Sequence, residues 1–365
     1  MTDFAACELE VLESDEQPAE DLGVDRSVDV IGTESGDAYL LYAAKQSSSG
    51  LTAEETHVYL QGIDLTSCSA EKRSEITTVP DGLVASAPAF AGVSGDVVAI
   101  SPYAWVGGEL PDTPALFGID TSSGESVWTE SFPGKLVKIR ADYSESGQQV
   151  PSVFDLGIAD SSGLEDRSLR EVATGSAVAE ATDFESPSLI VGDGFVFTDA
   201  SGDFPYSQTS LTDGTLSPVS GGFLSGEAVS AVDRAGVPVA VGPMCLESDA
   251  ECPVTNPDRS LGYVGADHAV HEILSADQVE SLQVSFLGAS SGRVYFTTTS
   301  ENLIADFNGD LIGEPYDSDE YPFAPIAERV VDGDAWTLWV TQEGILSIGQ
   351  ERYAISKDGE FPKAP

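Results

Sequence analysis

A glycine-bearing turn that leads into a short apolar strand recurs along the whole chain. No other feature limits the fold as strongly. It appears at GDAYLLYA (Gly36), GDVVAIS (Gly95), GQQVPSVFDLG (Gly147), GDGFVFTD (Gly192), AGVPVAVG (Gly236), SGRVYFTT (Gly292) and DGDAWTLWV (Gly333). Successive glycines lie 59, 52, 45, 44, 56 and 41 residues apart. Such an interval suits one four-stranded sheet, and self-similarity at this period marks a repeat architecture. The order within a unit also repeats: apolar strand, glycine turn, second strand, third strand with a polar hairpin, fourth strand. The hairpins read DTSSGE (Asp120 to Glu125), LTDGTL (Leu211 to Leu216), DFNGDL (Asp306 to Leu311) and SKDGEF (Ser356 to Phe361). Asp-Gly and Asn-Gly turn tightly because both residues reach positive φ at little cost. Helical 3.6 periodicity is scarce by comparison.

The predicted fold class is all-β: a seven-bladed β-propeller of four-stranded antiparallel blades. It forms one domain, residues 1–365, with the blades over about 27–362. The last unit runs out at SKDGEFPKAP, before a full fourth strand. At the other end, ACELEVL (Ala6 to Leu12) alternates Cys7, Leu9 and Val11 with Glu8 and Glu10, a half-buried strand without a blade. This strand, residues 6–12, is predicted to complete the seventh blade and close the ring, which removes open sheet edges. Residues 13–26 form the acidic connector into blade one.

Sixty-two acidic side chains face 16 basic ones, a formal charge of −46. That field repels nucleic acid and anionic lipid, and favours cationic partners, divalent cations or a salty habitat. No run of about 18 apolar residues occurs, so no membrane insertion is predicted. The four cysteines contain no C-x-x-C pair and fit structural zinc poorly. CLESDAEC sets Cys245 and Cys252 at the ends of a short loop suited to a disulfide, leaving Cys7 to pair with Cys68; the alternative is four reduced thiols. Oxidised cysteines imply export, although MTDFAACELEV has no basic or apolar leader pattern; a removed signal or anchor is the expectation.

GIDTSSGESVW (Gly118 to Trp128) resembles the repeat of the PQQ-like β-propellers, usually Ala-x-Asp-x-x-Thr-Gly-x-x-x-Trp. Gly118 stands for the Ala, Asp120 for the Asp, Ser123 for the Thr, Gly124 for the Gly and Trp128 for the Trp. GIDLTSCS repeats the first half, with Asp64 at the Asp position. The resemblance implies structural roles: the Trp docks neighbouring blades and the Asp orders the turn. It implies no chemistry at these positions, and without a Cys-Cys pair or an eighth unit a quinone cofactor is not expected. Non-catalytic envelope proteins are common in that family.

Candidate sites are sparse. His57, His268 and His271 read as surface or inter-blade residues; HAVH is taken as strand, which sends its two rings to opposite faces. No G-x-S-x-G elbow or P-loop occurs. Asp306, Asn308 and Asp310 alternate as calcium ligands can, although Asn308-Gly309 is also a good hairpin turn; YDSDEY (Asp317, Asp319, Glu320) is a second cation candidate. Long connections between second and third strands, at Tyr103 to Pro114 and Gly242 to Ser260, would share one face and present Tyr103 and Trp105 as binding anchors. Arg140, Arg234 and Arg329 follow or end innermost strands, and together would make a cationic mouth for an anionic ligand. The expected role is an exported, monomeric binding or scaffolding module for a protein or envelope component. Alternatives are an envelope-polymer hydrolase or lyase and a halophilic surface protein. Calcium is the one candidate cofactor.

Overall fold

A computed structural model describes residues 6–10, 16–18, 28–32, 38–46, 55–64, 69–79, 88–102, 114–133, 135–139, 152–160, 163–180, 187–191, 195–198, 207–210, 216–224, 228–235, 237–246, 260–290, 292–299, 301–317, 327–331, 334–340 and 350–357. Among them the strands pair into seven separate antiparallel sheets. The chain divides into two compact units. One holds Met1–Ser144, Ser152–Ala181 and Ile326–Pro365; the other holds Glu145–Pro151 and Thr182–Pro325.

The first unit contains four sheets. Sheet 1 orders Val28–Gly32, Ala38–Gln46, Glu55–Asp64 and Ser69–Val79 side by side. Sheet 2 comprises Ala89–Ser94, Val97–Ser101, Pro114–Asp120 and Ser126–Ser131. Sheet 3 comprises Leu136–Ile139, Val153–Asp160, Gly163–Glu171 and Ala177–Glu180. Sheet 7 runs Ala327–Val331, Asp334–Val340 and Gln350–Lys357, and its fourth strand is Ala6–Glu10 from the other end of the chain. That pairing is antiparallel, with Ala6 opposite Ala354 and Glu10 opposite Gln350. Val28–Gly32 touches both Ala327–Val331 and Ala89–Ser94, so first strands of successive sheets are neighbours.

The second unit contains three sheets. Sheet 4 is Pro187–Val191, Phe195–Thr198, Ser207–Ser210 and Leu216–Pro218. Sheet 5 is Val229–Val232, Pro238–Leu246, Ser260–Val264 and Val270–Leu274, with Gly222–Leu224 added beside Pro238–Leu246. Sheet 6 is Ser285–Ser290, Arg293–Thr297, Glu301–Asp306 and Leu311–Asp317.

Burial explains why inner strands read as apolar runs and outer ones do not. Pro238–Leu246 is buried at every position between its ends, because both faces of the sheet are covered. Ser126–Ser131, an outer strand, is mostly exposed. The core lies between successive sheets. Ala91, Ala99 and Leu116 of sheet 2 pack with Phe154 and Leu156 of sheet 3. Val229, Val241 and Leu261 of sheet 5 pack with Val294 and Phe296 of sheet 6.

A strand precedes each of the seven glycines in the sequence, from Val28–Gly32 before Gly36 to Ala327–Val331 before Gly333. Gly95 and Gly292 adopt φ of 56° and 76° between first and second strands, where a side chain would be strained. Gly36, Gly147, Gly192, Gly236 and Gly333 lie outside the described residues. Two details differ from expectation. The connector 13–26 contributes a short strand, Glu16–Pro18, which pairs with Ala38–Gln46. A two-turn helix, Ala276–Leu282, precedes sheet 6, capped by Ser275 and Gln278 in a reciprocal box. Seven residues are too few for 3.6 periodicity to stand out.

Candidate functional site

The most completely built polar and aromatic features bridge adjacent sheets. In the hairpin 120–125 the Asp120 carboxylate Oδ1 accepts from Ser122 N (3.0 Å), Ser122 Oγ (2.6 Å), Ser123 N (2.9 Å) and Ser123 Oγ (3.1 Å). The Ser122 hydroxyl bond leads these in holding the Asp120 carboxyl below its ordinary value. Gly124 has φ 75°, and a Cβ there would press on the Ser74 side chain of sheet 1. Across the strand pair, Trp128 sits opposite Gly118, whose missing Cβ leaves room for the indole. The ring stacks on Phe154 (6.3 Å, 8°), and its Nε1–H donates to the Val172 carbonyl at 2.8 Å. A Cβ on Gly175 would come within 2.9 Å of it. Trp128 therefore docks sheet 2 onto sheet 3.

Sheet 3 carries a second copy of this hairpin that the sequence reading missed. Glu171, Thr174 and Gly175 reproduce the spacing of Asp120, Ser123 and Gly124, and Gly175 has φ 70°. Gly175 N donates to Glu171 O at 2.8 Å, as Gly124 N does to Asp120 O at 2.7 Å. Val172 N reaches Ser152 O at 2.8 Å, as Thr121 N reaches Asp96 O at 2.8 Å. The signal was the acid-x-x-hydroxyl-Gly spacing, hidden because Ala179 occupies the Trp place. Arg170 adds a clamp, donating from Nη1 to Glu130 Oε1 and to Gly175 O, both at 3.0 Å.

In the second unit the corresponding hairpin is 306–310. Asp306 is 6% exposed; its Oδ1 accepts from Asn308 N (2.9 Å) and Asp310 N (3.0 Å). Its Oδ2 accepts from Asn308 Nδ2 at 3.3 Å and from Arg234 Nη2 at 3.0 Å. Burial pushes this carboxyl up, but the main-chain N–H bonds, Asn308 and Arg234 outweigh it, and the net shift is downward. The candidate calcium residues thus form the turn weighed against that reading, with both Asp306 oxygens taken by donors. Among the described residues no three His, Cys, Asp or Glu side chains are placed to hold a metal. Arg234 extends from the end of Val229–Val232 onto sheet 6, its Cγ against Gly292.

Beside this clasp, Tyr263 of sheet 5 stacks on Phe307 (5.0 Å) and on His271 (4.8 Å). His271 Nε2 lies 2.7 Å from Asp267 Oδ2. Burial raises the Tyr263 pKa, helped by the Asp267 and Asp233 charges. Burial also raises Asp267, but the His271 and Ala269 hydrogen bonds prevail and lower it. HAVH is not a continuous strand: His268 sits in a left-handed turn at φ 59°, and only His271 belongs to Val270–Leu274. His57 meets Glu75 Oε1 at 2.9 Å from the adjacent strand. It stacks on Tyr59, which the Arg73 guanidinium covers at 3.4 Å.

The predicted loop anchors Tyr103 and Trp105, and Arg140, Cys68, Cys252, Asp319 and Glu320, lie outside the described residues. Arg329 stands opposite Trp336 in sheet 7 and Cys7 opposite Tyr353; Asp64 ends its strand opposite Ser69. Cys245 is fully buried and disulfide-bonded.

No family model matches this chain, and no curated protein matches its sequence. Among solved structures it is similar to the β-propeller domain of the Trilobed protease from Pyrococcus furiosus, at 12% identity and TM-score 0.46 over 92% of this chain and 96% of that one. It is also similar to apo AztD from Citrobacter koseri (10%, TM-score 0.35, 80% and 88%) and to TolB from Acinetobacter baumannii (10%, 0.33, 85% and 79%).

Proposed function

We propose that the chain is a seven-bladed propeller of the PQQ-like type, closed by Ala6–Glu10, that serves outside the cytoplasm as a rigid binding or scaffolding module. One observation carries this reading. The Arg234–Asp306, Arg170–Glu130 and His57–Glu75 pairs and the Trp128 indole all brace strand to strand or sheet to sheet. Side chains spent on bracing make a stiff frame, and recognition then falls to the connections the frame holds, chiefly 103–114 and 247–259. The disulfide at Cys245 supports an oxidising compartment, with Cys252 as the partner we assign. A charge of −46 favours a basic partner surface.

Crosslinking in the producing cells, read by mass spectrometry, tests this. Links from 103–114 or 247–259 to one recurring envelope component support the reading. Links to cytoplasmic proteins alone, or a Cys245 that alkylates without reductant, overturn it. The same charge favours a second reading, a halophilic surface protein. Its mark is a melting temperature that climbs steeply between about 0.1 and 1 M salt, where screening shortens from about 10 to 3 Å.

A further inference from the structure

We propose that Asn308 is a latent modification site. Asp306 keeps its side-chain amide intact, and once that carboxylate is displaced the amide converts to aspartate and isoaspartate. The chain has three asparagines, which makes the site easy to isolate. Asn256 precedes Pro257, which has no N–H to react, and Asn302 is fully buried ahead of Leu303. Asn308 alone precedes a glycine, and it is exposed at a hairpin tip.

The reaction needs only water. The Gly309 main-chain nitrogen attacks Asn308 Cγ and gives up its proton to solvent as the new N–Cγ bond forms. The bond from Cγ to the amide nitrogen breaks, and ammonia leaves with a proton from water. A second water opens the five-membered imide at either carbonyl. One opening gives aspartate; the other moves the main chain through the side-chain carbon and gives isoaspartate. With no side chain on Gly309, nothing hinders the attack. The rate then depends on how often nitrogen and carbon reach attack geometry with the nitrogen deprotonated.

The turn opposes each requirement. Gly309 N–H is engaged by Asp306 O at 2.9 Å, which holds both its proton and its direction. The Asn308 amide is held through Nδ2 to Asp306 Oδ2 at 3.3 Å, and the Asn308 main chain through N to Oδ1 at 2.9 Å. A carboxylate at this distance also disfavours the negative charge that builds on nitrogen and oxygen during attack. Arg234 fixes Oδ2 from the neighbouring sheet at 3.0 Å, so protection depends on the seam between sheets 5 and 6 staying closed. Isoaspartate adds a main-chain methylene inside the turn, which removes the spacing that lets Gly309 N reach Asp306 O. Conversion is therefore one-way and records past openings of that seam.

The test follows the 305–313 segment by peptide mass spectrometry in the intact protein, Asp306→Ala, Arg234→Gln and a free ADFNGDLIG peptide, all at mildly alkaline pH. The intact protein is expected to convert about a hundredfold more slowly than the peptide, and Asp306→Ala about tenfold faster than the intact protein, with Arg234→Gln between them. A native rate equal to that of the peptide overturns the proposal, as does an unchanged rate in Asp306→Ala. If Asp306→Ala fails to fold, Arg234→Gln decides, because its side chain is two-thirds exposed and its loss leaves the core intact. A folded Arg234→Gln that converts no faster than the native chain then overturns it.

Discussion

The indole nitrogen of Trp128 lies 2.8 Å from the carbonyl oxygen of Val172, in the neighbouring sheet. The bond works together with the ring, which stacks on Phe154 and covers Gly175. Trp128→Phe keeps most of the ring contact and leaves the Val172 carbonyl without this donor, at a cost of about 1 kcal/mol. Trp128→Ala also opens a cavity between the sheets and is expected to cost about 3 kcal/mol. Urea unfolding, compared at constant m-value, separates the two; equal losses would mean that the hydrogen bond carries nothing.

Gly118 makes room for the same indole. The repeat this hairpin resembles usually has alanine there, yet a Cβ on Gly118 runs into Trp128 Nε1, Cε2 and Cδ1. Gly118→Ala is therefore expected to destabilise the chain by about 2 kcal/mol through overpacking. In the double variant with Trp128→Ala the penalty should disappear, because nothing is left to strike. A double-mutant cycle checks this, and additive losses would place the strain elsewhere.

Acid should weaken the seam between sheets 5 and 6 in a defined direction. The folded-state pKa of Asp306 lies below the ordinary 3.8, so its stabilisation is complete above that value and fades as pH falls through the lowered one. Asp306→Asn cannot titrate and should flatten the acid limb of the stability–pH curve while lowering the plateau at neutral pH. Chemical unfolding at a series of pH values reads both effects. Asp120, also lowered, is only half-buried and, among the described residues, makes no ion pair like that of Asp306 with Arg234, so it should contribute less.

Removing residues 1–12 strips sheet 7 of its fourth strand and bares the outer edge of Gln350–Lys357. The melting temperature is expected to fall by at least about 5 °C, and a synthetic 1–12 peptide to recover part of it. An unchanged melt would mean the strand adds no stability.

Strands such as Ala89–Ser94 and Pro238–Leu246 were legible because they are buried between their ends, so that apolar residues run together. The Trp128 hairpin was legible because its turn chemistry is local in sequence. What escaped depends on side chains meeting through space. His57 and Glu75 are 18 residues apart and meet only because their strands pair. Arg234 and Asp306 are 72 residues apart, and reading Arg234 as part of a cationic mouth overlooked a carboxylate that no spacing rule brings near it. The second hairpin, at Glu171 to Gly175, was missed for a different reason: glutamate replaced aspartate and the diagnostic tryptophan was absent.

Six of the seven sheets are assembled from strands that follow one another closely along the chain, whereas sheet 7 joins Ala6 to Ala354. Sheets 1 to 6 can take shape as the chain emerges, each from its own contiguous segment. Sheet 7 cannot be completed until synthesis is nearly finished, and its pairing carries the largest loop-closure entropy in the molecule. Until then Ala6–Glu10 has no partner strand.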